Sequence, residues 1–191
     1  MLETIKNDVI AIYRHRVDRL NHIYGVKDMA LRLGKIYGED LDKIRIVALL
    51  HDYTKYESRE FHERLIRREY NERIIQEYSK PLYHGFSAAV IAKEKYQIND
   101  HDSLRAIESH TVGRPNMSLL EKIIFISDYI ELNRMYPSCV KVREIAFNNL
   151  DLAIYEAIND SIKLYEHNGG FIPKIAYEAR DFYKHKGELN E

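Results

Sequence analysis

The run Ile44-Arg45-Ile46-Val47-Ala48-Leu49-Leu50 leads directly into His51-Asp52. Six apolar residues in seven bury the face of any helix that carries them, so Asp52 is drawn to a place where an unpaired carboxylate has a large desolvation cost. Asp128 sets the same problem, with Ile123-Ile124-Phe125-Ile126 before it and Tyr129-Ile130 after it. Whatever this chain folds into must bring positive charge to two buried carboxylates. Lysine or arginine could do so, but a buried ion pair adds little net stability, and a metal ion is the stronger attractor.

Four of the nine histidines, His22, His51, His84 and His110, lie in segments that read as helical or as helix ends. The other five, His15, His62, His101, His167 and His185, read as surface or hydrogen-bonded side chains. Four imidazoles and two carboxylates without a thiolate suit iron, manganese, zinc or a pair of such ions better than a structural zinc.

Only 4 prolines and 8 glycines interrupt the chain, and apolar residues recur at spacings of three and four, as in Val26, Met29, Ala30 and Leu33 or Ile123, Ile126 and Ile130. The fold class is all-α, a helical bundle. Helices are predicted over Leu2 to Tyr13, Arg16 to Tyr37, Leu41 to Lys55, Ser58 to Glu77, His84 to Tyr96, His101 to His110, Ser118 to Asn133 and Val140 to His167. Ser118 with Glu121 has the spacing of a capping box, Asp100 or Asp102 suits a helix start, and Gly38 and Gly169 suit helix stops. On this layout the ligand candidates come from several helices, a known way of building a metal site inside a bundle.

At 191 residues the chain fits a single domain spanning 1–191 with a real core. A formal charge of -1 gives no global basic field, so long nucleic acid is not an expected partner. Arg64-Leu65-Ile66-Arg67-Arg68 is a local basic cluster, but Glu63, Glu69 and Glu72 around it indicate a solvated, ion-paired helix. No apolar run approaches the roughly 20 residues of a membrane span. The lone Cys139 fits a reducing compartment, and no basic-then-apolar leader opens the sequence, so a cytoplasmic location is expected.

The order His, His-Asp, His, His, Asp resembles the HD-domain metal-dependent phosphohydrolases. The segments His84-Gly85 with Ser87-Ala88-Ala89, Ser109-His110-Thr111-Val112-Gly113-Arg114, Leu119-Leu120-Glu121-Lys122-Ile123-Ile124-Phe125 and Ser127-Asp128-Tyr129-Ile130-Glu131, with Asn133-Arg134 beyond, narrow the likeness to the bacterial YqeK family. The resemblance runs from about Arg19 to Arg180. Two places depart from the family's pattern: Leu132 stands where it usually has proline, and Ile172-Pro173-Lys174 where it has a His-Pro pair.

The resemblance implies symmetrical hydrolysis of diadenosine tetraphosphate to two ADP by a metal-activated water. It implies His22, His51, Asp52 and Asp128 as ligands of a principal metal, iron first, with manganese, cobalt, zinc or magnesium as alternatives. His84 and His110 would face the substrate phosphates, or hold a second ion that Asp52 bridges. Asp52, Lys55, His84 and His110 are then the expected catalytic residues. Lys55, Arg19 and Arg134 are expected phosphate ligands, because an ammonium and two guanidinium forks suit phosphate oxygens. Tyr53 and Thr54 are expected to touch the nucleotide. Arg114 either binds distal phosphates or braces its turn. The segment from about 168 to 186 is expected to close over the nucleotide, with Gly170, Phe171, Ile172 and Pro173 as the base-binding flap.

The metal constellation fixes the reaction type more firmly than the substrate. The alternatives are an HD phosphohydrolase acting on a nucleoside triphosphate, a guanosine alarmone, a nucleoside monophosphate or a cyclic nucleotide, and, more distantly, a nucleotide sensor without turnover. A homodimer is possible through apolar residues of the Val140 to His167 region.

Overall fold

The computed structural model describes residues 1–188. Its helices are α1 (Leu2–Tyr13), α2 (Val17–Tyr37), α3 (Leu41–Leu50), α4 (Arg59–Glu69), α5 (Arg73–Glu77), α6 (Tyr83–Tyr96), α7 (His101–Ser109), α8 (Leu119–Ile130), α9 (Pro137–Ala146), α10 (Leu150–His167) and α11 (Lys174–Glu188), with a 3-10 turn at Lys80–Leu82. No strand occurs among the described residues.

Short polar side chains set several of the helix starts. Asp40 accepts from the backbone N–H groups of Asp42 and Lys43 to open α3, and Asp100 accepts from Ser103 to open α7. At α8 the expected capping box is present: Ser118 Oγ accepts from Glu121 N, while the Glu121 carboxylate accepts from Ser118 N.

Two predicted helices are each divided in two. Over 58–77 the chain leaves α4 at Tyr70, and Asn71 Oδ1 accepts from Arg73 N at 3.0 Å, a local turn that competes with helix propagation. The predicted helix over 140–167 begins earlier, at Pro137, and breaks at Asn148-Asn149, where Asn149 Oδ1 takes Leu152 N as the cap of α10. A further helix, α11, occupies most of the segment expected to close over a nucleotide. Its Ala176, Ala179 and Tyr183 are buried, and Tyr183 Oη accepts from Met117 N, so this segment is anchored in the core.

The main core joins α1, α2, α3 and α6 to α7, α8, α9, α10 and α11 through residues such as Ile5, Leu33, Leu50, Ile107, Ile123 and Ile154, all without solvent exposure. Burying each such side chain is worth about 1.5–3 kcal/mol. A smaller cluster, Ile66, Tyr83 and Phe86 with Tyr70, Ile74, Ile75 and Tyr78, lies beneath α4 and α5. Helix α2 packs between α3 and α8, and α7 between α6 and α8. The ends and faces of these five helices enclose the polar side chains picked out in the sequence.

Candidate metal centre

His22 lies within α2, His51 caps the C-terminus of α3 with Asp52 next to it, His84 is the second residue of α6, His110 caps α7, and Asp128 is in the last turn of α8. The four imidazoles are at most 8% exposed and Asp52 is 2% exposed. Asp52 sits in the middle. Its Oδ2 is 3.8 Å from His22 Nε2 and 3.6 Å from His51 Nε2, while its Oδ1 is 3.0 Å from His84 Nε2 and 3.5 Å from His110 Nε2. Asp128 Oδ1 lies 3.0 Å from His22 Nε2.

Two triads therefore share one carboxylate, His22-His51-Asp52 and Asp52-His84-His110, with the ligand atoms of each triad within 4.8 Å of one another.

The far side of each ring fixes its tautomer. The Nδ1–H groups of His51, His84 and His110 donate to the carbonyls of Ala48, Pro81 and Ile107 at 2.7, 2.8 and 2.7 Å. His22 Nδ1–H donates to Glu131 Oε1 at 3.2 Å. Carbonyl and carboxylate oxygens only accept, so the ring proton resides on Nδ1 and each Nε2 presents a lone pair to the centre. Nε2 of His84 and Nε2 of His110 face each other at 3.1 Å. His22 Nε2, His51 Nε2 and Asp52 Oδ1 are buried without a hydrogen-bond partner among the described residues. Lone pairs gathered this closely repel unless a cation stands among them, which is the donor set of a nitrogen-and-oxygen metal site.

Protonation equilibria point the same way. Burial pushes the His51 imidazole down to about 3 and that of His84 down to about 4, so both are neutral at physiological pH. Burial also opposes charge on His22, but its close contact with Asp128 and the charges of Asp128 and Asp52 outweigh it and raise its pKa, marking a position that draws positive charge to Nε2. For Asp52 burial is outweighed by the adjacent His51, by its close contacts with His110 and His84 and by Lys55, which hold its pKa well below the usual carboxylate range. Asp128 is depressed too, as His22 and Arg134 overcome burial.

Three cations line the rim. Arg19 Nη1 is 2.7 Å from Asp52 Oδ2, Arg134 Nη2 is 2.9 Å from Asp128 Oδ1, and Lys55 Nζ is 3.4 Å from Asp52 Oδ1 and 3.0 Å from His84 Nε2. Lys55 gets there by a tight turn, its N–H bonded to Asp52 O, and not by continuation of α3. Beside Arg134 a cavity of about 550 Å³ opens, lined by Asn133, Arg134, Met135 and Tyr136. Met135 and Tyr136 are 72% and 70% exposed.

Other sequence candidates have their side chains engaged elsewhere. Tyr53 Oη lies 2.9 Å from both Lys95 Nζ and Tyr96 Oη, and its buried ring packs edge-on against Tyr96. Thr54 Oγ1 donates to His84 O at 3.0 Å and meets Ser87 Oγ at 2.7 Å, bracing the start of α6. Arg114 forms a two-pronged bond to buried Glu121, at 2.7 and 2.6 Å, which makes it the brace of the loop after His110. In the proposed flap, Gly170 N–H donates to Tyr165 O, Phe171 is 53% exposed, Ile172 packs on the core and Pro173 is buried. The described contacts of this loop thus lead to α10 and the core. His62 is buried with Nδ1 2.8 Å from Ser87 Oγ, whereas His15, His101, His167 and His185 are exposed.

The sequence reading gave no role to two residues that shape the centre: Tyr13, whose hydroxyl donates to Asp52 O at 2.6 Å, and Glu131 behind His22.

A helical bundle that gathers four imidazoles around Asp52, with Asp128 beside His22, has the candidate metal centre of a hydrolase of the HD superfamily. The HD domain family model matches residues 19–133. Curated relatives described as "Bis(5'-nucleosyl)-tetraphosphatase, symmetrical" come from Halalkalibacterium halodurans, 42% identical over 75% of this chain and 77% of its own length, and from Bacillus subtilis, 35% identical over the same shares. A third, from Staphylococcus aureus, is 37% identical over 72% of each chain. A crystal structure from Clostridium acetobutylicum, described as a "predicted HD superfamily hydrolase involved in NAD metabolism", superposes with a TM-score of 0.89 at 35% identity, over 97% of this chain and 98% of that one. The chain belongs to the HD-domain family, in the branch of these symmetrical tetraphosphatases.

Proposed function

We propose that this chain, acting as one HD domain, hydrolyses diadenosine tetraphosphate symmetrically to two ADP. The observation that carries the reading is the placement of Asp52, each of whose oxygens faces two histidine Nε2 atoms, in a chain whose curated relatives carry the tetraphosphatase name. His22, His51, Asp52 and Asp128 would hold the principal metal, for which we favour iron, and Asp52, His84 and His110 a second ion if two are used.

Bound there, a divalent metal supplies an acidified water and positive charge against phosphoryl oxygens. The protein's own part is positional. Arg19, Lys55 and Arg134 set three cations around the centre, so a tetraphosphate chain is held with an inner phosphorus at the ligands. The bond between that phosphorus and the central bridging oxygen breaks. Water's oxygen stays on one ADP, and the bridging oxygen leaves with the other, its new charge facing Lys55. With one metal, His84 and His110 face the phosphates directly.

For the bases, Met135 and Tyr136 offer a thioether and an aromatic ring beside Arg134, and the loop of Gly170, Phe171, Ile172 and Pro173 remains our second candidate. No helix among the described residues is long and apolar enough to cross a membrane. We infer a cytoplasmic protein from its unpaired, buried Cys139. We further infer a homodimer covering Leu164 and Tyr165, which α10 leaves exposed, and light scattering at varied concentration tests it.

The test is product analysis. Protein of known metal content is incubated with diadenosine tetraphosphate, and with NAD and nucleoside triphosphates in parallel, and products are resolved by ion exchange. ADP as sole product, abolished by chelation, is expected. AMP plus ATP would overturn the symmetrical register, and turnover of another nucleotide alone would overturn the substrate. Tight binding without turnover under several metals would favour a sensor.

A further inference from the structure

Three of the four histidines at the centre are oriented by carbonyls three residues earlier in the chain, Ala48 for His51, Pro81 for His84 and Ile107 for His110. That is possible because these carbonyls lie in the last turn of α3, in the 3-10 turn before α6 and in the last turn of α7, where helix ends leave acceptors free. His22 has no such recourse. It sits inside α2, whose carbonyls are taken by the helix's own hydrogen bonds. An interior histidine needs an acceptor from another element, and Glu131 supplies it.

Glu131 is 2% exposed and is the first residue beyond α8. Its Oε1 takes His22 Nδ1–H, while Oε2 accepts from Asn133 N at 2.7 Å and Asn133 Nδ2 at 2.9 Å. Its backbone carbonyl is held by Arg143 Nη2 at 3.0 Å. It is on the Nδ1 side of the ring, away from the centre, so it acts on the site only through His22.

Gly25 makes the seat for this carboxylate. It is on α2, three residues after His22, and a Cβ there would lie 2.4 Å from Glu131 Oε2 and 3.0 Å from Asn133 Nδ2. A glycine inside a helix is unfavourable relative to alanine, and the approach of Glu131 explains its presence.

We propose that Glu131, seated on Gly25, is the positioning residue of the metal centre, holding His22 in the tautomer and orientation that present Nε2 to the ion. The inference rests on the metal-centre reading. A carboxylate behind a ligating imidazole fixes the ring and raises its basicity, and its loss typically lowers metal affinity roughly 10- to 100-fold.

The test measures Mn2+ affinity by competition with a chromophoric chelator, alongside thermal melts. Glu131→Ala is expected to weaken Mn2+ binding by roughly 10- to 100-fold. Gly25→Ala is expected to do the same with every charge in place, and since alanine is the better helix former it keeps a folded readout should Glu131→Ala fail to fold. In a His22→Ala background, Glu131→Ala should cause no further loss. Unchanged affinity in folded Glu131→Ala or Gly25→Ala, or an equal further loss without His22, would overturn the proposal. Wild-type protein that takes up no metal would overturn the metal-centre reading itself, a separate result.

Discussion

Taking away the His51 ring removes a member of the first triad, and taking away the Asp52 carboxylate removes the atoms that both triads share. His51→Ala and Asp52→Ala should therefore lose metal and activity together, as elemental analysis and an ADP-release assay would show. Lys55→Ala should keep its metal and lower kcat on the order of 100-fold, the usual loss when a transition-state charge partner is deleted. Glu108 offers a check unrelated to the metal. Burial raises its carboxyl pKa above 4.5, against opposing contributions from Tyr70 and Arg105. The native state therefore binds more protons than the unfolded state between 4.5 and the raised value, and wild-type stability falls as pH rises through that window. Glu108→Gln has no such proton to lose, so its melting temperature relative to wild type should climb across the same window.

At this scale the sequence was informative where residue type conflicted with surroundings: His51-Asp52 and Asp128, set in apolar runs, lie together in the structure with His22. Tyr53 adjoins Asp52 but turns its ring toward Lys95 and Tyr96, an orientation that neighbourhood in sequence does not determine. Glu131 stood in the quoted motif, yet its partner His22 is 109 positions away.

Among the helices, periodicity located most segments, but it did not reveal where asparagine would stop one and start another, at Asn71 and Asn149. The reason is that a local side-chain turn outcompetes a helical hydrogen bond by only a small margin, which tertiary packing decides. Helix α11 escaped notice because just Ala176, Ala179 and Tyr183 mark its buried face. Packing between α6 and α7 gives a prediction at this level. A Cβ on Gly85 would stand 2.8 Å from the carbonyl oxygen of Glu108, so backbone and not a yielding side chain blocks it. Gly85→Ala should force the two helices apart, at about 1–3 kcal/mol in stability, and separate His84 from His110. Its activity should fall while the first triad still takes metal, which pairs a chemical melt with metal counting.

For the molecule as a whole, the proposed principal metal would tie together α2, α3 and α8, and a second ion would add α6 and α7. An ion present at 1,000 times its Kd adds about 4 kcal/mol to native stability, equivalent to a rise in Tm on the order of 10 °C for a chain of this size. Chelation should lower the melting temperature by that order, and readdition of Mn2+ or Fe2+ should restore it. The all-α class was readable from spacing, whereas the grouping of the candidate ligands came from residue type and the family resemblance. The location of the open cavity beside Arg134, Met135 and Tyr136 was not, since exposed loop residues carry no periodic signature.

The four imidazole supports also differ in heritability. Those behind His51, His84 and His110 are main-chain oxygens, which persist through any codon change at Ala48, Pro81 or Ile107 that leaves the backbone in place. The support behind His22 is a side chain, and a single nucleotide substitution can alter or abolish it. Natural variation that retunes metal preference without touching a ligand should therefore concentrate at positions 131 and 25.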